Sequence, residues 1–93
     1  MITAIVMVHC APSRIPEVAE VISRLDGVSE VYSVTGNIDL IVLVRVTHHD
    51  DLAGVIADRL SKVDGVVSTD SHVAFQAYSR HDLEAAFSLG FDE

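Results

Sequence analysis

The sequence predicts an α+β domain with the order β-α-β-β-α-β, in which a four-stranded antiparallel sheet carries two helices on one face. Three observations predict it: an internal repeat, apolar runs of strand length each followed by an amphipathic helical pattern, and a Gly-Asn turn between the two halves. Ile22-Ser23-Arg24-Leu25-Asp26-Gly27-Val28 returns as Leu60-Ser61-Lys62-Val63-Asp64-Gly65-Val66, an offset of 38 residues. At the same offset Ile2, Val6 and Val8 fall on Leu40, Val44 and Val46, and Val18 and Ala19 fall on Ile56 and Ala57. Two copies make a duplicated unit rather than a solenoid.

Each copy reads as strand, helix, strand. Thr3 to His9 is an Ile- and Val-rich run of strand length. Val18, Val21, Ile22 and Leu25 then follow the i, i+3, i+4, i+7 spacing of an amphipathic helix. Ser13 is its expected N-cap, with Pro16 and Glu17 suited to the first turn. Gly27 ends the helix in a left-handed conformation, and a strand runs from about Val28 to Val34. Gly36-Asn37 is a turn pair that tolerates positive φ, so the second and third strands form a hairpin. Leu40 to Val46 is the third strand. Leu52, Val55, Ile56, Leu60 and Val63 nearly repeat the helical spacing, with Asp50 and Asp51 at the positive end of the helix dipole. Gly65 closes that helix, and the last strand runs from about Val66 to Tyr78. A split βαβ order of this kind is the ferredoxin-like arrangement.

Helices cover only one face of such a sheet, and a face left to water should be polar. The first and third strands violate this, because Ile5, Met7, Ile41 and Leu43 point away from the helix-facing set. A second apolar face marks an interface. The economical solution is a two-fold homodimer through that face, burying about 800 Å² per partner. The competing use of the same face is an apolar ligand or lipid groove.

The 93 residues divide into one domain, 1–79, and an amphipathic C-terminal tail, 80–93. In the tail Leu83, Ala86 and Phe87 share one side, the pattern of a short docking helix over the sheet edge or the neighbouring subunit. With 49% hydrophobic residues the chain has material for a core. Its formal net charge of −8 opposes direct binding to nucleic acid, which needs a basic surface. One cysteine, Cys10, excludes an internal disulfide. No basic and apolar leader precedes the first strand, and no apolar run reaches membrane-spanning length, so the expected location is the cytoplasm.

Sequence motifs for catalysis are missing: there is no P-loop, dinucleotide fingerprint or Cys/His pattern. His48-His49-Asp50-Asp51 has ligand chemistry, but adjacent residues at a helix start diverge, and the spacing fits a solvated cap better than a metal site. His9, His72 and His81 are scattered single residues. The polar cluster that remains is Thr35-Gly36-Asn37-Ile38-Asp39. Asp39 either caps its turn by accepting backbone N–H groups or, beside exposed turn N–H groups, takes the ammonium of an amino acid whose carboxylate the turn binds.

Val31-Tyr32-Ser33-Val34-Thr35-Gly36-Asn37-Ile38-Asp39-Leu40 resembles the central signature of the Lrp/AsnC ligand-binding (RAM) domain, and Leu25-Asp26-Gly27-Val28 and Val63-Asp64-Gly65-Val66-Val67-Ser68-Thr69 resemble its two helix-end segments. The likeness spans roughly residues 2 to 78. It implies the same fold, dimers built through the sheets, further assembly into rings such as octamers, and small effectors, often amino acids, bound between dimers without a cofactor. By position, Thr35, Gly36, Asn37 and Asp39 match the family's effector turn, and Thr69 and Ser71 match hydroxyl positions on the fourth strand. Asn37-Ile38 departs from the acidic and aromatic pair typical there. Full-length regulators carry a helix-turn-helix region before the first strand. The expectation here is a stand-alone module that senses an amino acid and acts on transcription through full-length regulators. The rival from another class is a small dimeric-barrel enzyme, a cofactor-free monooxygenase or isomerase, using His9 or His72.

Overall fold

The computed structural model describes residues 1–78. The expected tail, 80–93, lies outside the described residues. Strands β1 (Ile2–Cys10), β2 (Val28–Ser33), β3 (Leu40–Val46) and β4 (Val66–Val73) form one antiparallel sheet in the order β2-β3-β1-β4. The two copies of the repeat therefore meet at the centre, where Ile2 pairs with Val46 and Val8 with Leu40.

Alternate residues of the central pair build the core. Ala4, Val6 and Val8 of β1 and Leu40, Val42 and Val44 of β3 have no exposed surface, and Val18, Ile22 and Leu60 close over them from the helices. Each of these valines, leucines and isoleucines contributes about 1.5–3 kcal/mol of transfer free energy.

The first helix, α1, spans Ile15–Ser23 and buries Val18 and Ile22. Ser13 is not its N-cap. A 3₁₀ turn, Pro12–Arg14, precedes the helix, and the Arg14 N–H donates to Ala11 O at 2.8 Å. Pro12 fixes φ one turn early, which moves the start of winding upstream of the serine.

The second helical segment departs from the repeat. It opens with one α turn, α2 (Asp51–Ala53), continues as a π-helical stretch, Gly54–Arg59, and ends in a 3₁₀ turn, Leu60–Lys62. Its buried residues are Leu52, Val55 and Leu60, so the last two are five apart where α1 has Val18 and Ile22 four apart. A π turn carries an extra residue, and that residue breaks the 38-residue correspondence. Val55, not Ile56, is the structural counterpart of Val18. Asp50 and Asp51 do stand at the start of this segment.

Both helix-end glycines adopt the left-handed conformation, Gly27 at φ +93° and Gly65 at φ +99°. The repeat survives in their packing. A Cβ on Gly27 would stand 2.6 Å from Val55 Cγ2, and one on Gly65 2.7 Å from Val18 Cγ2. Each helix thus seats a valine on the glycine that ends the other. Gly27→Ala is expected to destabilise the domain by about 2–4 kcal/mol, combining backbone strain with overpacking. Adding Val55→Ala should recover the steric part only. Urea midpoints read this, and an unchanged midpoint for Gly27→Ala would refute the packing account.

Strand β4 stops at Val73 rather than continuing to Tyr78. One more bond, Ala74 N–H to Thr3 O at 2.9 Å, extends the ladder. Beyond it only Ile2 of β1 remains, at the register position of Phe75.

Candidate effector turn and sheet face

The loop joining β2 and β3 is closed by Val34 N–H donating to Asp39 O at 3.0 Å. Thr35, Gly36 and Asn37 at its tip are exposed, and Gly36 has φ +113° with open space where a Cβ would stand. Asp39 is half-buried and stitched to β1 twice. Its N–H donates to Val8 O at 3.0 Å, and its carboxylate Oδ2 accepts the Cys10 N–H at 2.9 Å. That second bond satisfies a donor where the β1–β4 register shifts, between His9 and Cys10. Asp39 is therefore a backbone cap, reaching across strands rather than within its own turn. Its Oδ1 has no protein partner among the described residues.

The cap also bears on Cys10, which is 4% exposed. Burial first, and the neighbouring Asp39 carboxylate second, push its thiol above the ordinary cysteine range. Both oppose the thiolate, so Cys10 is a core residue rather than a nucleophile.

Thr69 pairs with Val8, and Val8 with Leu40, which follows Asp39. Thr69 thus lies at the same end of the sheet as the turn but two strand spacings away, about 10 Å. Its hydroxyl is 3.4 Å from Ser61 Oγ on the helical side. Ser71 pairs with Val6, further from the turn, and is exposed. Within one chain the turn and the two hydroxyls do not converge on a common cavity.

On the face away from the helices, Ile5 pairs with Leu43 and Met7 with Ile41, and all four are half-buried. They form an apolar strip two strands wide. Polar rows flank it. On β4, His72 sits opposite Ile5 and Asp70 opposite Met7, with His72 Nε2 3.3 Å from Asp70 Oδ2. On β2, Tyr32 sits opposite Ile41 and Glu30 opposite Leu43. The Tyr32 hydroxyl donates to the Glu30 carboxylate; that bond, and then the adjacent negative charge, raise the phenol above its usual range.

His9 pairs with Ser68, four residues along β1 from the Ile5–His72 pair, a separation of about 13 Å along the strand. The two histidines do not meet. Sequence reasoning missed two grooves. One, about 400 Å³, lies at the sheet end remote from the turn, where Asp26, Thr47, Asp50 and Asp51 surround Arg59, whose guanidinium donates to Asp26 O at 3.3 Å. It adjoins the π-helical stretch, which the 3.6-residue period could not reveal. The other, about 420 Å³, opens on the apolar face between Ile5, Leu43, Arg45 and residues 74–77. No helix among the described residues is long and apolar enough to cross a membrane.

The model of the Lrp/AsnC ligand-binding domain matches residues 3–83. The chain belongs to that family. Among its relatives, the HTH-type transcriptional regulator YugG of Bacillus subtilis is 38% identical over 95 residues, covering 99% of this chain and 56% of that protein. The chain spans about half the length of the curated relatives it matches. The crystal structure of TTHA0845 from Thermus thermophilus superposes with a TM-score of 0.81 at 40% identity, covering 86% of this chain and all of that one. The transcriptional regulator NMB0573 from Neisseria meningitidis, solved as a complex with L-methionine, shares the fold at 17% identity and TM-score 0.75, over 85% of this chain and 53% of its own. The ferredoxin-like α+β architecture is thus that of the family's ligand-binding domains.

Proposed function

We propose that this Lrp/AsnC domain binds an amino acid at the 35–39 turn and pairs with a second copy through Ile5, Met7, Ile41 and Leu43. It acts on transcription through DNA-binding members of its family and performs no catalysis. The observation that carries the reading is the turn itself: an exposed Thr35-Gly36-Asn37 tip beside a carboxylate with one oxygen fixed on Cys10 N–H and the other without a partner among the described residues. That arrangement offers an acceptor for an ammonium next to backbone donors for a carboxylate. The complex of NMB0573 with L-methionine supports an amino acid as the ligand class.

Because Thr69 and Ser71 stand apart from the turn of their own chain, their share in the site requires another subunit, as expected of a ligand held between dimers. The net charge of −8 favours an indirect route to DNA. The relatives named as transcriptional regulators, and the separation of His9 from His72, argue against the enzyme reading.

A thermal-shift screen against the twenty amino acids tests the proposal. A ligand at a hundred times its Kd stabilises the native state by about 2.7 kcal/mol. For a domain of this size that raises Tm by roughly ten degrees or more. A flat screen, with no amino acid raising Tm, overturns it.

A further inference from the structure

The outer edge of β2 carries a sequence that matches itself. Val28-Ser29-Glu30-Val31-Tyr32-Ser33-Val34 reads alike in both directions about Val31, except that Glu30 answers Tyr32. Strand β2 ends the sheet, with β3 on one side and no strand on the other among the described residues. The Val34 N–H donates to Asp39 O, so Val34 and, two residues back, Tyr32 turn their backbone groups toward β3. Val31 and Ser33 between them turn theirs outward. Such an edge is a template for another strand, and the residues that usually block it, lysine and proline, are absent from Val28–Val34.

A strand symmetric about one residue complements a second copy of itself run antiparallel, which is the geometry of a two-fold contact. Opposed residues share a sheet face, so the axis passes through a residue and not between two. Centred on Val31, Glu30 stands opposite Tyr32 of the second copy, and Ser33 opposite its Ser29. Within the chain the Tyr32 hydroxyl donates to the Glu30 carboxylate, and across two copies that donor and acceptor meet twice. Centred on Glu30, two carboxylates would face each other, which is destabilising. Centred on Tyr32, Glu30 would face Val34 and lose its donor. On the other sheet edge the near-symmetric run Val67–Val73 is centred on Asp70, where a two-fold would again oppose two carboxylates.

We propose that β2 pairs edge to edge with β2 of a second copy, antiparallel and centred on Val31. Ile5, Met7, Ile41 and Leu43 take no part, so this surface is separate from the pairing face. One strand of six residues falls below the roughly 800 Å² per partner of a standard interface, so the contact is a link between assemblies rather than a stable dimer alone. As a link between dimers it rests on the face pairing proposed above. Each face-paired dimer then carries two such edges, and two links per dimer allow a closed ring. The same register brings the exposed 35–37 turn of each copy to the Asp26-Gly27 corner of the other, where Arg59 stands.

Disulfide capture in the full chain tests the register. Val31→Cys puts two thiols on the axis, where opposed Cα atoms are about 5.5 Å apart. Ser33→Cys, more exposed, leaves its two copies about 13 Å apart along the strands. Val31 and Ser33 pair with the buried Val42 and Leu40, on the helix side of the sheet, so contact through the opposite face does not bridge them. Cys10 is buried and does not compete. Under mild oxidation Val31→Cys is expected to form linked dimers about ten times faster than Ser33→Cys, against the order of their exposure. A mixture of Ser29→Cys and Ser33→Cys reads the same register from two exposed positions, and its main product by mass spectrometry should be the 29–33 link. Both results are expected to persist in an Ile41→Glu background, so failure of the edge and failure of the face pairing read separately. Ser33→Cys closing as fast as Val31→Cys, or 29–29 and 33–33 links forming as readily as 29–33, overturns the proposal.

Discussion

Ile41→Glu is expected to convert a dimer into a folded monomer in sedimentation velocity. Ile41 lies in the middle of the apolar strip, opposite Met7 on one neighbour and Tyr32 on the other. In the single chain it is only half-buried, so a carboxylate there reaches water and the fold tolerates it. Between two facing sheets it does not reach water. An unpaired polar group so placed costs about 1–3 kcal/mol by mutational measures. Two-fold symmetry enters the change twice, giving about 2–6 kcal/mol, or roughly thirtyfold to twenty-thousandfold weaker association. The paired control is Val42→Glu, one residue along on the fully buried side, which should abolish folding rather than assembly. Sedimentation of the unmodified protein as a monomer, or of Ile41→Glu as an unchanged dimer, would sink the pairing surface.

The strip was legible because it contradicts a rule: β1 and β3 carry apolar residues at consecutive positions, which a one-sided sheet in water does not need. Strand β3 lies at Leu40–Val46 as read, and β1 runs one residue further at each end than the Thr3 to His9 reading, Ile2–Cys10. The flanking polar rows were less obvious, since Asp70 and His72 join the strip only through the pairing of β4 with β1.

The misreadings have separate causes. Periodicity assumes a constant rise per residue, and the π-helical stretch Gly54–Arg59 breaks that assumption by one residue, moving the buried position from Ile56 to Val55. Ser13 was read as a cap from residue type, but proline at the start of a 3₁₀ turn outranks a hydroxyl. At the candidate site the turn and its positive-φ glycine were legible from Gly36-Asn37. The partner of Asp39 was not, because Cys10 is 29 residues away and joins it only across the sheet. Nor does residue type reveal that Thr69 stands two strands from the turn; the order β2-β3-β1-β4 decides that.

That cross-sheet bond determines how Asp39 must be tested. Asp39→Ala removes both the charge and the acceptor of the Cys10 N–H, leaving a part-buried donor without its partner, at a cost of about 1–3 kcal/mol. For a domain of this size that lowers Tm by roughly 4–8 °C per kcal/mol, so a lost ligand response in the alanine variant is confounded by damage to the fold. Asp39→Asn separates the two roles. Its side-chain oxygen still accepts from Cys10, so its Tm is expected to stay within a few degrees of the unmodified protein, while an ammonium loses its counter-charge. A charge-assisted bond contributes about 1.5–3 kcal/mol, so the asparagine variant should bind the responding amino acid roughly ten to a hundred times more weakly, read by isothermal titration. An asparagine variant that binds at full strength would leave Asp39 as a structural cap alone and move the ligand's ammonium partner elsewhere. One that loses stability as badly as alanine would mean that the carboxylate charge itself, rather than its acceptor oxygen, holds the end of β1.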